Sequence, residues 1–257
     1  MPSWDRAGAL RGRVVRELRA RLFHAYRSIA ERDELDAVIH LGDYIYEYAS
    51  GAFGMVRSCE PQHEIVSLDD YRQRYAHCGS DPDLRELHRR HPMIAVWDDH
   101  EIANNAWLHG AENHKPEQGD YDALRAYFEW MPLRESAEGG CFRQFAYGDL
   151  VDLIMLDTRL WGRDQQIGDV NDARFMAEDR EIHGGEQAAW LADALQKSKA
   201  RWRLLGQQVM VGRCRCISIR TVARALRLRA SDSWSCWRVS RRRIAWCCPG
   251  MCTRLGR

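Results

Sequence analysis

The stretch Asp36-Ala37-Val38-Ile39-His40-Leu41-Gly42-Asp43-Tyr44-Ile45-Tyr46-Glu47-Tyr48 constrains the chain more than any other. Ala37 to Leu41 is a short, nearly continuous apolar run, which reads as a buried strand. Gly42 stops it and lets Asp43 emerge at the C-terminal end, where open α/β sheets collect their chemistry. A carboxylate there, with the Tyr46 phenol close behind, is a start for a cation site: oxygen donors suit Ca, Mg and Mn, and phenolate suits ferric iron. A Gly-Asp pair is equally what a simple turn after a strand contains. His40, inside the strand, reads as a core histidine with its hydrogen bonds satisfied.

Further apolar runs repeat the arrangement. Met93 to Trp97, released by Pro92, predicts a second strand ending in Asp98-Asp99-His100-Glu101, with Asn104 and Asn105 just beyond. Phe142 to Tyr147, a turn at Gly148-Asp149 and Leu150 to Leu156 predict a hairpin that closes on Asp157-Thr158-Arg159, and Trp202 to Met210 predicts a last strand. Between them, helical spacing covers residues 11–32, with Val15, Leu18, Leu22, Tyr26 and Ile29 on one stripe. Ser67 with Asp70 caps a helix to about Cys78, Asp81-Pro82 starts one to about His91, Asp120 caps one that Pro132 closes, and the last runs from Glu186 to Lys199. Residues 160–183 read as a polar loop. Strands alternating with helices imply an α/β fold or a layered α-β sandwich.

At 257 residues and 45% hydrophobic side chains, the chain holds enough apolar surface for one large domain or two small ones. No run approaches the roughly 18 apolar residues of a membrane span. The N-terminus carries arginines at 11, 13, 16, 19 and 21 and no apolar core of signal-peptide form. The net charge of +1 hides a division: from Arg213 onward there are twelve arginines, no lysine and one acid, Asp232, against 26 basic and 36 acidic side chains before it. Six of the nine cysteines also crowd this tail, without the paired C-x-x-C spacing of a zinc site. Such a composition is expected of a GC-rich gene read out of frame after about Gly212, and residues 1–22 fit the same description. Three segments follow as an expectation: 1–22 atypical and Arg-rich, 23–212 the folded body, and 213–257 outside the fold.

The two polar strand tips can meet on one sheet edge. Carboxylates there neutralise a cation, an amide oxygen completes a hard coordination shell, and a histidine binds a phosphoryl oxygen or protonates a leaving group. This toolkit suits phosphoryl or carboxyl ester hydrolysis at a metal pair. The bland alternative is a solvated loop after a strand, with Asn104-Asn105 a cap or turn. Arg159 could clamp a substrate phosphate through both guanidinium arms, or pair with Asp157.

Taken together, His40-Leu41-Gly42-Asp43-Tyr44-Ile45-Tyr46-Glu47, Trp97-Asp98-Asp99-His100-Glu101 with Asn104-Asn105, Leu156-Asp157-Thr158-Arg159 and Gly206-Gln207-Gln208-Val209-Met210 resemble the PhoD-like alkaline phosphatase and phosphodiesterase family, from about Phe23 to Gly212. The resemblance implies a metallophosphatase-type layered α-β-β-α sandwich. It also implies a calcium and iron centre that hydrolyses phosphate mono- and diesters through a metal-activated water or hydroxide. By position, Asp43 is similar to the carboxylate bridging both metals, Tyr46 to the phenolate on iron, and Asn104, chosen over Asn105, to the calcium ligand. Asp99 and His100 would lie near the phosphate or in the layer behind the metal ligands, with Arg159 as a further catalytic candidate. Family members are often exported.

Two departures stand beside these matches. The family's first strand ends in a Ser-Cys pair, and residues 1–22 hold no cysteine; a later G-D-x-H element has no counterpart after Met210, and the last histidine is His183. Three readings therefore stand open: a phosphoric ester hydrolase, an inactive truncated relative without a complete metal site, and a nucleic-acid binder using the tail arginines with Trp234, Trp237 and Trp246. Against the last, the tail has no helical arginine stripe and no nucleic-acid motif.

Overall fold

The structure, a computed structural model, describes residues 24–52, 58–113, 122–134, 140–169, 171–177 and 179–209, together with the backbone of 12–15 and 243–247. It divides into two compact units, one of Leu10–Ala106 with Gly110–Gly139 and one of Met1–Ala9, Trp107–His109 and Gly140–Arg257.

In the first unit, β1 (Gly12–Val15), β2 (Ala37–His40) and β3 (Met93–Ala95) form a parallel sheet with β2 in the centre, and His40 lies opposite Val15 on one side and Ala95 on the other. Parallel neighbours bring their C-terminal ends to the same edge, so the segments leaving β2 and β3 emerge side by side. Every residue of β2 is buried, which is why its sequence is a continuous apolar run rather than an alternation. Helix α1 (His24–Ala30) and helix α3 (Pro82–Arg90) cover it, packing Tyr26, Ile29, Ala30, Leu84 and Leu87 around Val38.

The helix starts follow the local chemistry. Helix α2 (Leu68–Gly79) opens with a full capping box: Asp70 N donates to Ser67 Oγ while Ser67 N donates to the Asp70 carboxylate. Helix α3 opens with Asp81 Oδ1 accepting from the amides of Asp83 and Leu84, with Pro82 in the first turn. Helix α4 (Asp122–Trp130) brings Tyr127 edge-on to Tyr75 of α2, and its expected cap at Asp120 lies outside the described residues.

The helix expected over residues 11–32 is corrected. Gly12–Val15 is a strand and α1 begins at His24. The apolar stripe that suggested a helix starts at Val15, next to Val14, and such β-branched residues take the strand when an adjacent edge, here β2, offers a ladder.

In the second unit, β4 (Arg143–Tyr147) turns through Gly148 into antiparallel β5 (Val151–Met155), while β6 (Trp202–Gly206) and β7 (Arg243–Cys247) continue the sheet in parallel. Helix α5 (Gly184–Lys197) lays Leu191 and Ala194 on Ile154, Leu156 and Leu205. Strand β7 belongs to the basic tail expected to stand outside the fold, and Arg243 pairs with Trp202 of β6. The strand expected to reach Met210 ends at Gly206, because the next side chains are used elsewhere: Gln208 accepts from Thr158 N and Oγ1 and donates to Leu156 O. Gln187 of α5 holds Asp157 in the same two-handed way, through its amide and its carbonyl. These two glutamines fix the turn after β5. The class is thus mixed α/β, and among the described residues no helix is long and apolar enough to cross a membrane.

Candidate functional site

The site begins where β2 stops. Gly42 has φ 96° and Asp43 φ 60°, two successive left-handed residues. A β-carbon on Gly42 would lie 2.1 Å from Asp98 N, so the segments leaving β2 and β3 touch backbone to backbone. Asp43 adopts a conformation that few residues but Gly, Asn and Asp accept, and such strain persists where the surroundings hold it. Glu101 supplies one hold: fully buried, it accepts from Tyr44 N at 2.5 Å and from Asp98 N at 2.8 Å, tying one tip to the other. Burial first, and the charge of Asp43 second, push its pKa up against the pull of those two amides.

Around this junction Asp43, Asp99 and His100 each offer a ligand atom, all within 4.8 Å of one another. Tyr46 Oη donates to Asp43 Oδ2 at 3.1 Å, and its ring lies 4.3 Å from that of His100. Asn105 N donates to Asp99 Oδ2 at 2.7 Å, from a left-handed backbone at φ 52°. His100 Nδ1 meets Glu47 Oε2 at 2.8 Å. Burial by itself would lower the His100 pKa, but the Glu47 hydrogen bond and the charges of Asp99, Glu47 and Asp43 outweigh it and raise the value to about 9. Glu47, 1% exposed, also accepts from Asn104 N at 2.7 Å and Asn113 Nδ2 at 2.9 Å. Carboxylates, a phenol and one imidazole packed this closely are a donor set for a hard cation, which would offset charge that is otherwise expensive to bury.

Of the residues singled out from sequence, Asp43, Tyr46, Asp99 and His100 are brought together. Asn104 joins them through Glu47, and its Nδ2 donates to Glu112 at 2.9 Å. Arg159 belongs to the second unit, at the turn after β5, buried, with its amide donating to Asp157 Oδ1 at 2.9 Å. The Asp98-Asp99-His100-Glu101 run is not a solvated loop: Asp98, Asp99 and Glu101 are all buried. Sequence reasoning missed Glu47, Asn113 and Arg74. Glu47 lay in full view inside the first motif, and the available signal was its place among four apolar or aromatic residues, where a charge needs a partner.

His40 is the satisfied core histidine expected. Its Nδ1 accepts from Gly42 N at 3.3 Å, so the neutral ring carries its proton on Nε2, which faces Tyr26 Oη at 3.4 Å. Burial, with the nearby His88 charge, pulls its pKa down to about 3. In the second unit burial and the Arg163 charge pull His183 down to about 4. A base held neutral in the fold and free to protonate when unfolded makes stability fully present above the ordinary value of 6.5 and lost as pH falls toward the folded value. For His40 the expected loss between pH 6.5 and pH 4.5 is about 2–3 kcal/mol. Urea midpoints across that range check it, with His40→Asn, which keeps an acceptor for Gly42 N and cannot titrate, expected to flatten the slope.

The chain matches the family described as PhoD-like phosphatase over residues 16–248, past both ends of the 23–212 span that holds the four motifs. It is 35% identical over 243 residues to alkaline phosphatase D of Bacillus subtilis (strain 168), a match covering 86% of this chain and 40% of that protein. A solved structure titled "Structure of PhoD" superposes with a TM-score of 0.69 at 33% identity, over 79% of this chain and 41% of the other. The chain thus spans about two fifths of the relatives it matches. With the family's match running through both strand tips and the turn after β5, the chain belongs to the PhoD-like phosphatase family.

Proposed function

We propose that this chain hydrolyses phosphate mono- or diesters with the help of bound cations, calcium and iron being the pair its family resemblance implies. The observation that carries the reading is the convergence of Asp43, Asp99 and His100 at the adjoining ends of two parallel strands. In this reading Asp43, Tyr46 and Asn104 hold the cations, which when bound supply Lewis acidity toward a phosphoryl oxygen and toward water. The Tyr46 phenol donates to Asp43 and sets the direction of that carboxylate, and a cation held by both would take the place of the phenol proton. Asp99, steadied by the Asn105 amide, adds negative charge on the same side. His100 has Nδ1 committed to Glu47, which leaves Nε2 to bind a phosphoryl oxygen or to hand a proton to the leaving group. Arg159 keeps the role of phosphate-clamp candidate that the family resemblance implies for it. The layered α-β-β-α sandwich is part of the same proposal.

The test is hydrolysis of p-nitrophenyl phosphate and bis-p-nitrophenyl phosphate with added calcium and iron, beside Asp43→Asn. Turnover that a chelator abolishes and that Asp43→Asn lowers about 100-fold or more, with an unchanged melting temperature, is the expected result. No turnover by the unaltered chain would overturn the reading and leave an inactive relative.

A further inference from the structure

Glu47 accepts three hydrogen bonds within the site, and the proposed chemistry draws on only the one to His100. Its two oxygens are divided between two tasks. Oε2 takes His100 Nδ1 at 2.8 Å, and Oε1 takes both Asn104 N at 2.7 Å and Asn113 Nδ2 at 2.9 Å. Glu47 therefore grips His100 inside the second motif and Asn104 just beyond it, although it stands at the end of the first. Asn113 backs the arrangement: its Oδ1 accepts from the same Asn104 amide at 2.8 Å, and its Nδ2 also donates to Glu64 at 3.0 Å. Asn104 O in turn accepts from Glu112 N at 2.9 Å, so the Asn104 end of the loop is closed on itself.

A buried carboxylate that engages one nitrogen of an imidazole fixes which ring nitrogen faces a ligand and how the ring is turned. The ring of His100 has further restraint from Tyr46 at 4.3 Å and Tyr48 at 5.4 Å, both tilted against it. Ring contacts do not choose between the two flipped orientations of an imidazole, and the Glu47 hydrogen bond to Nδ1 makes that choice.

We infer that Glu47 is the positioning carboxylate of this site, holding His100 by Nδ1 and Asn104 by its amide so that imidazole and side-chain amide meet a cation or phosphate in one fixed arrangement, with Asn113 steadying Glu47. The inference rests on the proposed phosphoesterase reading. It concerns how the site is held, and Glu47 touches neither substrate nor cation.

Two readouts separate it from a merely structural role. The first is Mn²⁺ binding to the full chain, followed by loss of the free-ion paramagnetic resonance signal. The second is the division of kinetic loss between kcat and KM on bis-p-nitrophenyl phosphate. Glu47→Gln keeps the shape and removes the charged acceptor. It is expected to retain its melting temperature within a few degrees, to bind Mn²⁺ about 10–100-fold more weakly, and to lose kcat by a similar factor at little changed KM. Asn113→Ala is expected to shift both in the same direction by a smaller factor, and Glu47→Asp to recover less than half of the loss, because the shorter arm cannot reach His100 and Asn104 together. Unaltered Mn²⁺ affinity and kcat in a folded Glu47→Gln would overturn the inference while leaving the functional reading intact. An unaltered chain that neither binds Mn²⁺ nor turns over would bring down the functional reading, and this inference with it.

Discussion

Arg74→Met is expected to lower the unfolding free energy by about 3–5 kcal/mol, since several buried carbonyls lose their donor at about 1–3 kcal/mol each and partial relaxation recovers some of it. Arg74 lies in the middle of α2 and is 1% exposed, yet its partners among the described residues are backbone carbonyls rather than carboxylates. Nε donates to Glu60 O at 3.1 Å, Nη1 to Tyr46 O and to Tyr48 O at 3.1 Å, and Nη2 to Pro61 O at 2.9 Å and His63 O at 3.3 Å. Five donors in one planar fork thus supply an irregular segment with the hydrogen bonds that a strand or helix would otherwise provide.

Methionine fills much of the same volume and donates nothing, so the cost is that of carbonyls buried without a donor. Arg74→Lys should recover part of it, since three donors on one nitrogen cannot span carbonyls fanned over this width. The carbonyls of Tyr46 and Tyr48 flank Glu47, so the same substitution should also depress the proposed hydrolysis and raise cleavage by protease within this segment before global unfolding. Urea denaturation at pH 7 decides the matter: a loss below about 1 kcal/mol for Arg74→Met would show that water or rearranged backbone replaces the guanidinium.

How much of this was readable beforehand follows from what kind of interaction holds each part. The ends of β2, β3 and β5 were legible because continuous apolar runs that halt at carboxylates leave a one-dimensional trace. The starts of α2 and α3 were legible because a capping residue and its target are at most three positions apart. Where partners are far apart in sequence the trace vanishes. Strand β1 depends on an edge supplied by β2, twenty-five positions along by their pairing of Gly12 with Ala37. Glu47 and Arg74 are charges, and a charge in a sequence reads as solvent-facing until its buried partners are known. Helix α5 begins at Gly184 rather than at Glu186 because that glycine lies against Gly162: a β-carbon on Gly162 would meet Gly184 Cα at 2.3 Å. Of the Gly184-Gly185 pair, Gly184 is the one that lets two backbones touch, while Gly185 faces open space.

The same distinction between a glycine that turns the chain and one that lets backbones meet gives the second large effect. Gly42→Ala is expected to destabilise the protein by roughly 2–5 kcal/mol, combining left-handed backbone strain of about 1–2 kcal/mol with overpacking of about 1–3 kcal/mol. At φ 96° the new methyl would sit 2.1 Å from Asp98 N, 2.5 Å from Asp98 Cβ and 2.7 Å from Asp98 Cα, and none of these atoms is the far end of a flexible side chain. Relief requires the segments leaving β2 and β3 to part, which would stretch the Glu101 bonds to Tyr44 N and Asp98 N and carry Asp43 away from Asp99 and His100. Gly148 is the control: at φ 57° it has the left-handed conformation with no atom within 4 Å of a new β-carbon, so Gly148→Ala pays strain alone, about 1 kcal/mol. Denaturation of the two variants side by side, with Mn²⁺ binding measured on each, separates strain from collision. Equal losses would mean that the close approach at Gly42 is not what joins the two strand tips; a larger loss at Gly42, accompanied by weakened cation binding that Gly148→Ala does not share, is the outcome this packing requires.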